Sequence, residues 1–225
     1  VGYPVVVKPD NGVGANNTYK LSSDEDFVFF MEHKNDEVYI MEEYVKGYVQ
    51  TFDAIVDSKG QPLFESGNIT PKSIMDIVNE NRDSTYYLVK DVPENIRSAG
   101  LRTIRAFGVK SRFIHLEFFV LTEDQEGLGK KGDVLGLEVN MRPAGGYTPD
   151  MYNYSQETDV YKIWADMVCF DKNTKPIGAH HYCAFYGRRD GTHYKLDDYE
   201  IMMKYAGHIV MNGRIPDALS GAMAN

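Results

Sequence analysis

Cysteine is scarce in this chain, with two among 225 residues. Cys169 and Cys183 are too few for a disulfide scaffold or a thiolate zinc site. They are expected as buried, reduced thiols of a cytoplasmic protein. No apolar run approaches the ~20 residues of a membrane span, so no membrane partner is expected. A basic excess is missing as well: 24 Lys and Arg stand against 33 Asp and Glu, for a net charge of −9. That balance argues against a general nucleic-acid binder, though not against a local positive pocket for phosphates. Neither internal repeats nor low-complexity segments are found. Core-forming residues, by contrast, are plentiful. Hydrophobic residues make up 43 % and aromatics 12 %, a composition for folding rather than disorder. The length suits one large domain or two small ones.

The most informative stretch is Leu137-Glu138-Val139-Asn140-Met141-Arg142-Pro143, ending in Ala144-Gly145-Gly146. Strand alternation puts Glu138, Asn140 and Arg142 on one face and Leu137, Val139 and Met141 on the other. A carboxylate beside an amide oxygen is a hard-oxygen pair suited to Mg²⁺. An arginine one step on suits a phosphate or carboxylate in bidentate fashion. Upstream, residues 112–121 form a strand that is apolar on both faces and therefore central. It carries His115 and Glu117. A hairpin loop over 124–131 returns the chain along 133–140, which brings Glu117 close to Glu138 and Asn140. Paired carboxylates repel unless a cation lies between them. His115 is expected as a hydrogen-bonded neighbour rather than a base. Asp53 and Lys72 are within reach of the same place.

Elsewhere, Val5-Val6-Val7 forms a short strand that delivers Lys8 to the loop Asp10-Asn11-Gly12-Val13-Gly14-Ala15. The backbone N–H groups around Gly12 and Gly14 can curl about an anion, and Lys8 adds a point charge. Ser22-Ser23-Asp24 caps a helix with Phe27, Phe30 and Met31 on its buried face. Strands are expected over 37–44, 48–56, 62–69 and 85–89, with a polar, lid-like loop over 70–83. Pro93 opens a helix whose buried stripe is Ile96, Leu101, Ile104 and Phe107. Helices over 149–154 and 159–170 follow, the second with Val160, Ile163, Trp164 and Met167 inward. A strand over 181–186 and a helix over 199–205 come last.

In chain order, Tyr3-Pro4-Val5-Val6-Val7-Lys8-Pro9, the glycine loop, Met41-Glu42-Glu43-Tyr44-Val45-Lys46-Gly47, Phe113-Ile114-His115-Leu116-Glu117 and the Glu138–Gly146 stretch resemble the ATP-grasp superfamily. The pattern is most similar to the carboxylate–amine ligase branch, which includes the carbamoyl phosphate synthase large subunit. By motif order it covers residues 1–170.

The resemblance implies an α+β ATP-grasp fold, two α/β subdomains whose antiparallel sheets grip a nucleotide. Residues 1–45 would be part of the small subdomain, and residues 46–225 the large one with a C-terminal extension. Helices are expected on one side of the large sheet. The family also has a preceding α/β domain and an earlier nucleotide-contacting lysine, which would lie before Val1. The chain alone is therefore expected to lack the full substrate site.

Lys8 would touch the phosphates of ATP, and the loop at Gly12 and Gly14 would close over them. Glu42 and the backbone of Glu43 to Val45 would line the adenine pocket. Glu117, Glu138 and Asn140 would hold Mg²⁺, or Mn²⁺ in its place. Arg142 would be the catalytic arginine, binding the γ-phosphate or the acyl substrate. The implied reaction is phosphoryl transfer from ATP to a small-molecule carboxylate, followed by attack of an amine on the acyl phosphate. One departure stands out: relatives often carry a ribose-binding acid just after the glycine, whereas Tyr48 and Val49 follow Gly47. A non-catalytic nucleotide-binding or regulatory module and a kinase-like phosphotransferase are the alternatives, and a homodimer is left open.

Overall fold

The computed structural model describes residues 2–11, 17–71 and 83–216. Its first sheet is built from β1 (Val5–Pro9), β2 (Tyr19–Leu21) and β3 (Tyr39–Glu43), antiparallel and ordered β2-β1-β3. Helix α1 (Asp24–His33) connects β2 to β3. The Ser23 hydroxyl accepts the Asp26 N–H at 3.2 Å, and the acidic first turn suits the helix dipole. Val5, Val7 and Leu21 pack on Phe30, with Tyr19 and Tyr39 beside them. Of the three residues expected on the buried face, Phe27 and Met31 are instead exposed. A sheet with a three-residue edge strand is too narrow to cover a whole helical stripe.

The second sheet has seven strands: β4 (Gly47–Val56), β5 (Pro62–Ser66), β6 (Asn68–Thr70), β7 (Thr85–Leu88), β8 (Arg112–Leu121), β9 (Val134–Asn140) and β10 (Cys183–Tyr186). The order is β10-β7-β6-β4-β8-β9, with β5 also paired to β4, and every pair is antiparallel. The single strand expected over 62–69 is broken at Gly67. A Cβ there would stand 2.4 Å from the Thr51 carbonyl oxygen. Here β4 exchanges β5 for β6 as its partner, and the Asn68 N–H donates to Thr51 Oγ1 at 2.9 Å. Most of the expected lid-like loop, with Lys72, lies outside the described residues.

Both faces of this sheet are covered, which corrects the expectation of helices on one side. Helix α2 (Glu94–Ala106) packs Ile96, Ala99 and Ile104 against Phe52, Ala54, Val56, Ile114, Leu116, Phe118 and Val120. Helices α3 (Thr148–Gln156) and α4 (Val160–Phe170) pack Met151, Tyr152, Val160, Ile163 and Met167 against Ile55, Phe64, Leu88 and Phe113. Central strands that are apolar on both sides require cover on both sides. A further helix, α5 (Asp198–Tyr205), follows β10 and begins with an Asp197–Glu200 capping box. Among the described residues no helix is long and apolar enough to cross a membrane.

Four side chains expected in the interior sit differently. Phe107 and Trp164 are exposed, and so is Cys169, while Cys183 is half-buried. Trp164 still lays one side of its ring near Phe113, at a centroid distance of 6.2 Å. The buried stripe of α2 instead consists of Ile96, Ala99, Gly100 and Ile104. A Cβ on Gly100 would stand 2.3 Å from the Phe52 ring, which is itself fully buried. Gly100→Ala should therefore destabilise the protein by about 2–3 kcal/mol of overpacking, more than the roughly 1 kcal/mol that helix propensity returns. Urea denaturation checks this; a more stable variant would show that the ring can move aside.

Candidate functional site

Strand pairing sets six side chains on one face of the large sheet. Across β4, β8 and β9 the register aligns Asp53 with His115 and His115 with Asn140. The neighbouring row aligns Thr51 with Glu117 and Glu117 with Glu138. Residues directly opposed in a ladder share a face, so all six share the face of Ile55 and Phe113, which α3 and α4 cover further along. Phe118 opposes Gly136 whereas Glu117 opposes Glu138. Leu137 is therefore an extra residue, a bulge of the kind that re-aims the side chains beyond it.

A continuous hydrogen-bonded chain runs through the array. Thr51 Oγ1 donates to Asp53 Oδ2 at 2.6 Å. His115 Nδ1 meets Asp53 Oδ1 at 2.5 Å, and its Nε2 meets Glu117 Oε1 at 3.0 Å. Two ring nitrogens facing two carboxylates call for a proton on each. Burial alone would lower the imidazole pKa, but the charge and hydrogen bond of Asp53, then those of Glu117, outweigh it and raise it to about 10. Tyr152 from α3 is fully buried, and its phenol is pushed well above the usual tyrosine range by burial first and by the Asp53 charge second.

Exposure rises along the row. The Asp53 side chain is 0 % exposed, His115 10 % and Glu117 14 %, and Glu138 lies open to solvent. The chain thus leads from the core to a surface carboxylate pair. Like charges directly opposed across a ladder are unfavourable. Asn140 is half-buried, and its Nδ2 has no hydrogen-bond partner among the described residues. Two carboxylates and an amide oxygen are a donor set for a hard cation such as Mg²⁺. Among the described residues no three His, Cys, Asp or Glu side chains group to hold a metal by themselves. Such a cation would take its remaining ligands from elsewhere, as Mg²⁺ commonly does from phosphates and water.

The other candidate residues are distributed as follows. Strand β9 ends at Asn140, so Arg142 lies in a bend beyond it rather than on the strand face. Its exposed guanidinium donates to the Pro143 carbonyl at 3.0 Å and makes no ion pair among the described residues. Lys8 and Glu42 pair with each other at 2.6 Å on the small sheet. The β1–β3 register puts Val6, Lys8, Ile40 and Glu42 on the face away from α1. Glu43 is exposed and Val45 half-buried. Gly12 and Gly14 lie outside the described residues.

Gln125 was not foreseen. From the β8–β9 loop it donates to the Tyr44 carbonyl at 3.1 Å and accepts the Lys46 N–H at 2.6 Å, fixing the segment between the two sheets on either side of Val45. The closure of Asp53 onto His115 went equally unrecognised. Its sequence signal was a lone Asp inside the otherwise apolar run of β4, which has no comfortable buried place without a partner.

No family model matches the sequence, and no curated protein does. Solved structures do match its fold. The biotin carboxylase domain of 2-oxoglutarate carboxylase from Hydrogenobacter thermophilus, a dimer in complex with MgADP, ADP and bicarbonate, superposes with a TM-score of 0.58 at 15% identity. That match covers 82% of this chain and 41% of the other. N5-carboxyaminoimidazole synthetase from Staphylococcus aureus, complexed with ADP, gives 0.59 at 10% identity over 79% and 44%. Phosphoribosylglycinamide synthetase from Anaerococcus prevotii gives 0.53 at 19% identity over 82% and 45%. The chain has the ATP-grasp fold. It spans less than half the length of these ATP-grasp structures. At such identities the likeness establishes the fold, and the α+β architecture expected from the motifs agrees with it.

Proposed function

We propose that the chain is the nucleotide-binding core of an ATP- and Mg²⁺-dependent carboxylate–amine ligase. The observation that carries this reading is the convergence of Glu117, Glu138 and Asn140 on one sheet face. Two structural neighbours support it by their ligands, ADP in one and MgADP in another. Residues 1–45 serve as part of the small subdomain and residues 46–225 as the large one. Glu117, Glu138 and Asn140 hold the metal, which when bound neutralises charge on phosphoryl oxygens. Lys8 leaves Glu42 for the phosphates, and Gly12 and Gly14 approach the same groups. Glu42, Glu43 and Val45 border the base. Arg142, with its guanidinium open to solvent beyond β9, receives the γ-phosphate or the acyl substrate. These groups lower the cost of charge that develops on the transferring phosphoryl group.

Phosphate release from ATP, measured against panels of small carboxylates and amines, tests the reaction. A ligase releases phosphate only when a carboxylate and an amine are both present. Stable phosphorylation of one substrate without an amine would mark a kinase-like phosphotransferase. Nucleotide binding with no turnover in the full-length protein would mark a regulatory module.

A further inference from the structure

We propose that Asp53 and His115 are positioning residues that hold the Glu117 carboxylate in one orientation toward a divalent cation. The inference rests on the proposed metal site, to which Glu117 belongs. Each link of the chain is tied to the next by a hydrogen bond. The Asn68 N–H holds Thr51 Oγ1, Thr51 holds Asp53 Oδ2, Asp53 Oδ1 holds His115 Nδ1, and His115 Nε2 holds Glu117 Oε1. Three strands, β6, β4 and β8, contribute, and the root of the chain is fully buried at Asp53. Glu117 therefore has one oxygen fixed and the other left for a ligand. Both His115 nitrogens are engaged by carboxylates, so the ring is neither a metal ligand nor a base in this arrangement. Hydrogen-bonded partners behind a ligand set its direction, and their loss typically weakens metal binding by about 10–100-fold.

The test uses Mn²⁺ as a paramagnetic probe, titrated into the protein with and without ADP. Bound Mn²⁺ is followed by electron paramagnetic resonance and metal-free ADP binding by calorimetry. His115→Phe should weaken Mn²⁺ binding in the presence of ADP by about 10–100-fold and alter the resonance line shape. It should leave metal-free ADP binding unchanged, which a general loss of structure would not. His115→Gln, whose amide N–H can still reach Glu117, should recover part of the affinity. Unchanged Mn²⁺ affinity and line shape in His115→Phe, with Mn²⁺ lost in Glu138→Ala, would overturn the positioning role and leave the metal site standing. If Glu138→Ala binds Mn²⁺ like the parent, the metal site itself fails and the positioning role with it. If His115→Phe does not fold, the neutral, same-shaped Asp53→Asn is read by the same criteria.

Discussion

Replacing Glu138 by alanine should abolish Mg²⁺–ATP binding and leave the fold intact. Glu138 is exposed on β9, the edge strand of the large sheet, so its removal opens no cavity in either core cluster. It also relieves the carboxylate pair, because Glu138 stands directly opposite Glu117. Stability should therefore hold or rise slightly, while binding of the metal–nucleotide complex falls. A loss of at least about 100-fold is expected, close to 3 kcal/mol. The loss should be selective: ATP with magnesium chelated should bind the variant and the parent alike. Titration calorimetry with and without magnesium measures both. Unchanged affinity for Mg²⁺–ATP would remove the metal assignment from Glu138 and, with it, the central support for a ligase core.

Asp53→Ala should act in the opposite way, on stability before binding. The substitution leaves the buried imidazole of His115 without its principal partner. Removing one member of a buried ion pair costs about 3–5 kcal/mol, because the other charge stays buried and unpaired. That is a large fraction of the roughly 5–15 kcal/mol that holds a domain together. The effect should depend on pH in a defined direction. The folded-state pKa of His115 is raised to about 10, above the roughly 6.5 of an unfolded histidine. Its contribution is then fully present below about pH 6.5 and is lost as pH rises through about 10. The charged and titratable groups around it are Asp53 and Glu117 in contact, Glu138 opposite Glu117, and the Tyr152 phenol near Asp53. Urea midpoints of the parent should decline across that window, and those of Asp53→Ala should start lower and decline less. Parallel curves for the two proteins would mean that the pair does not contribute to stability as a charged pair.

Much of this arrangement was legible in local pattern. Residues 112–121 alternate apolar side chains on both faces, and the structure forms a strand over just those residues. Helix α4 begins after Asp159, whose side chain accepts the Lys162 N–H at 3.0 Å, as a capping residue should. Strands β8 and β9 are consecutive in the chain, so the proximity of Glu117 to Glu138 followed from adjacency along the chain. The errors of helix burial share one physical origin. Phe107, Trp164, Phe27 and Met31 were assigned to the interior by periodicity, which states which side chains share a helical face but not how wide a surface waits opposite. Gly100 was invisible to a search for apolar stripes, because its role is to make room for Phe52.

From the sequence alone came the strand and helix sequence, the motif order of an ATP-grasp chain and the acid–amide–arginine stretch, since each depends on neighbours within a few residues. Which strands stand side by side was decided only in three dimensions. Asp53 and His115 are 62 positions apart, and they meet because β4 and β8 pair along ten residues in one register. A shift of one residue would turn Asp53 to the other face, and no local preference specifies that register. It is set by burying Ile55 and Phe113 beneath α3 and α4 while Phe52 and Ile114 pack beneath α2.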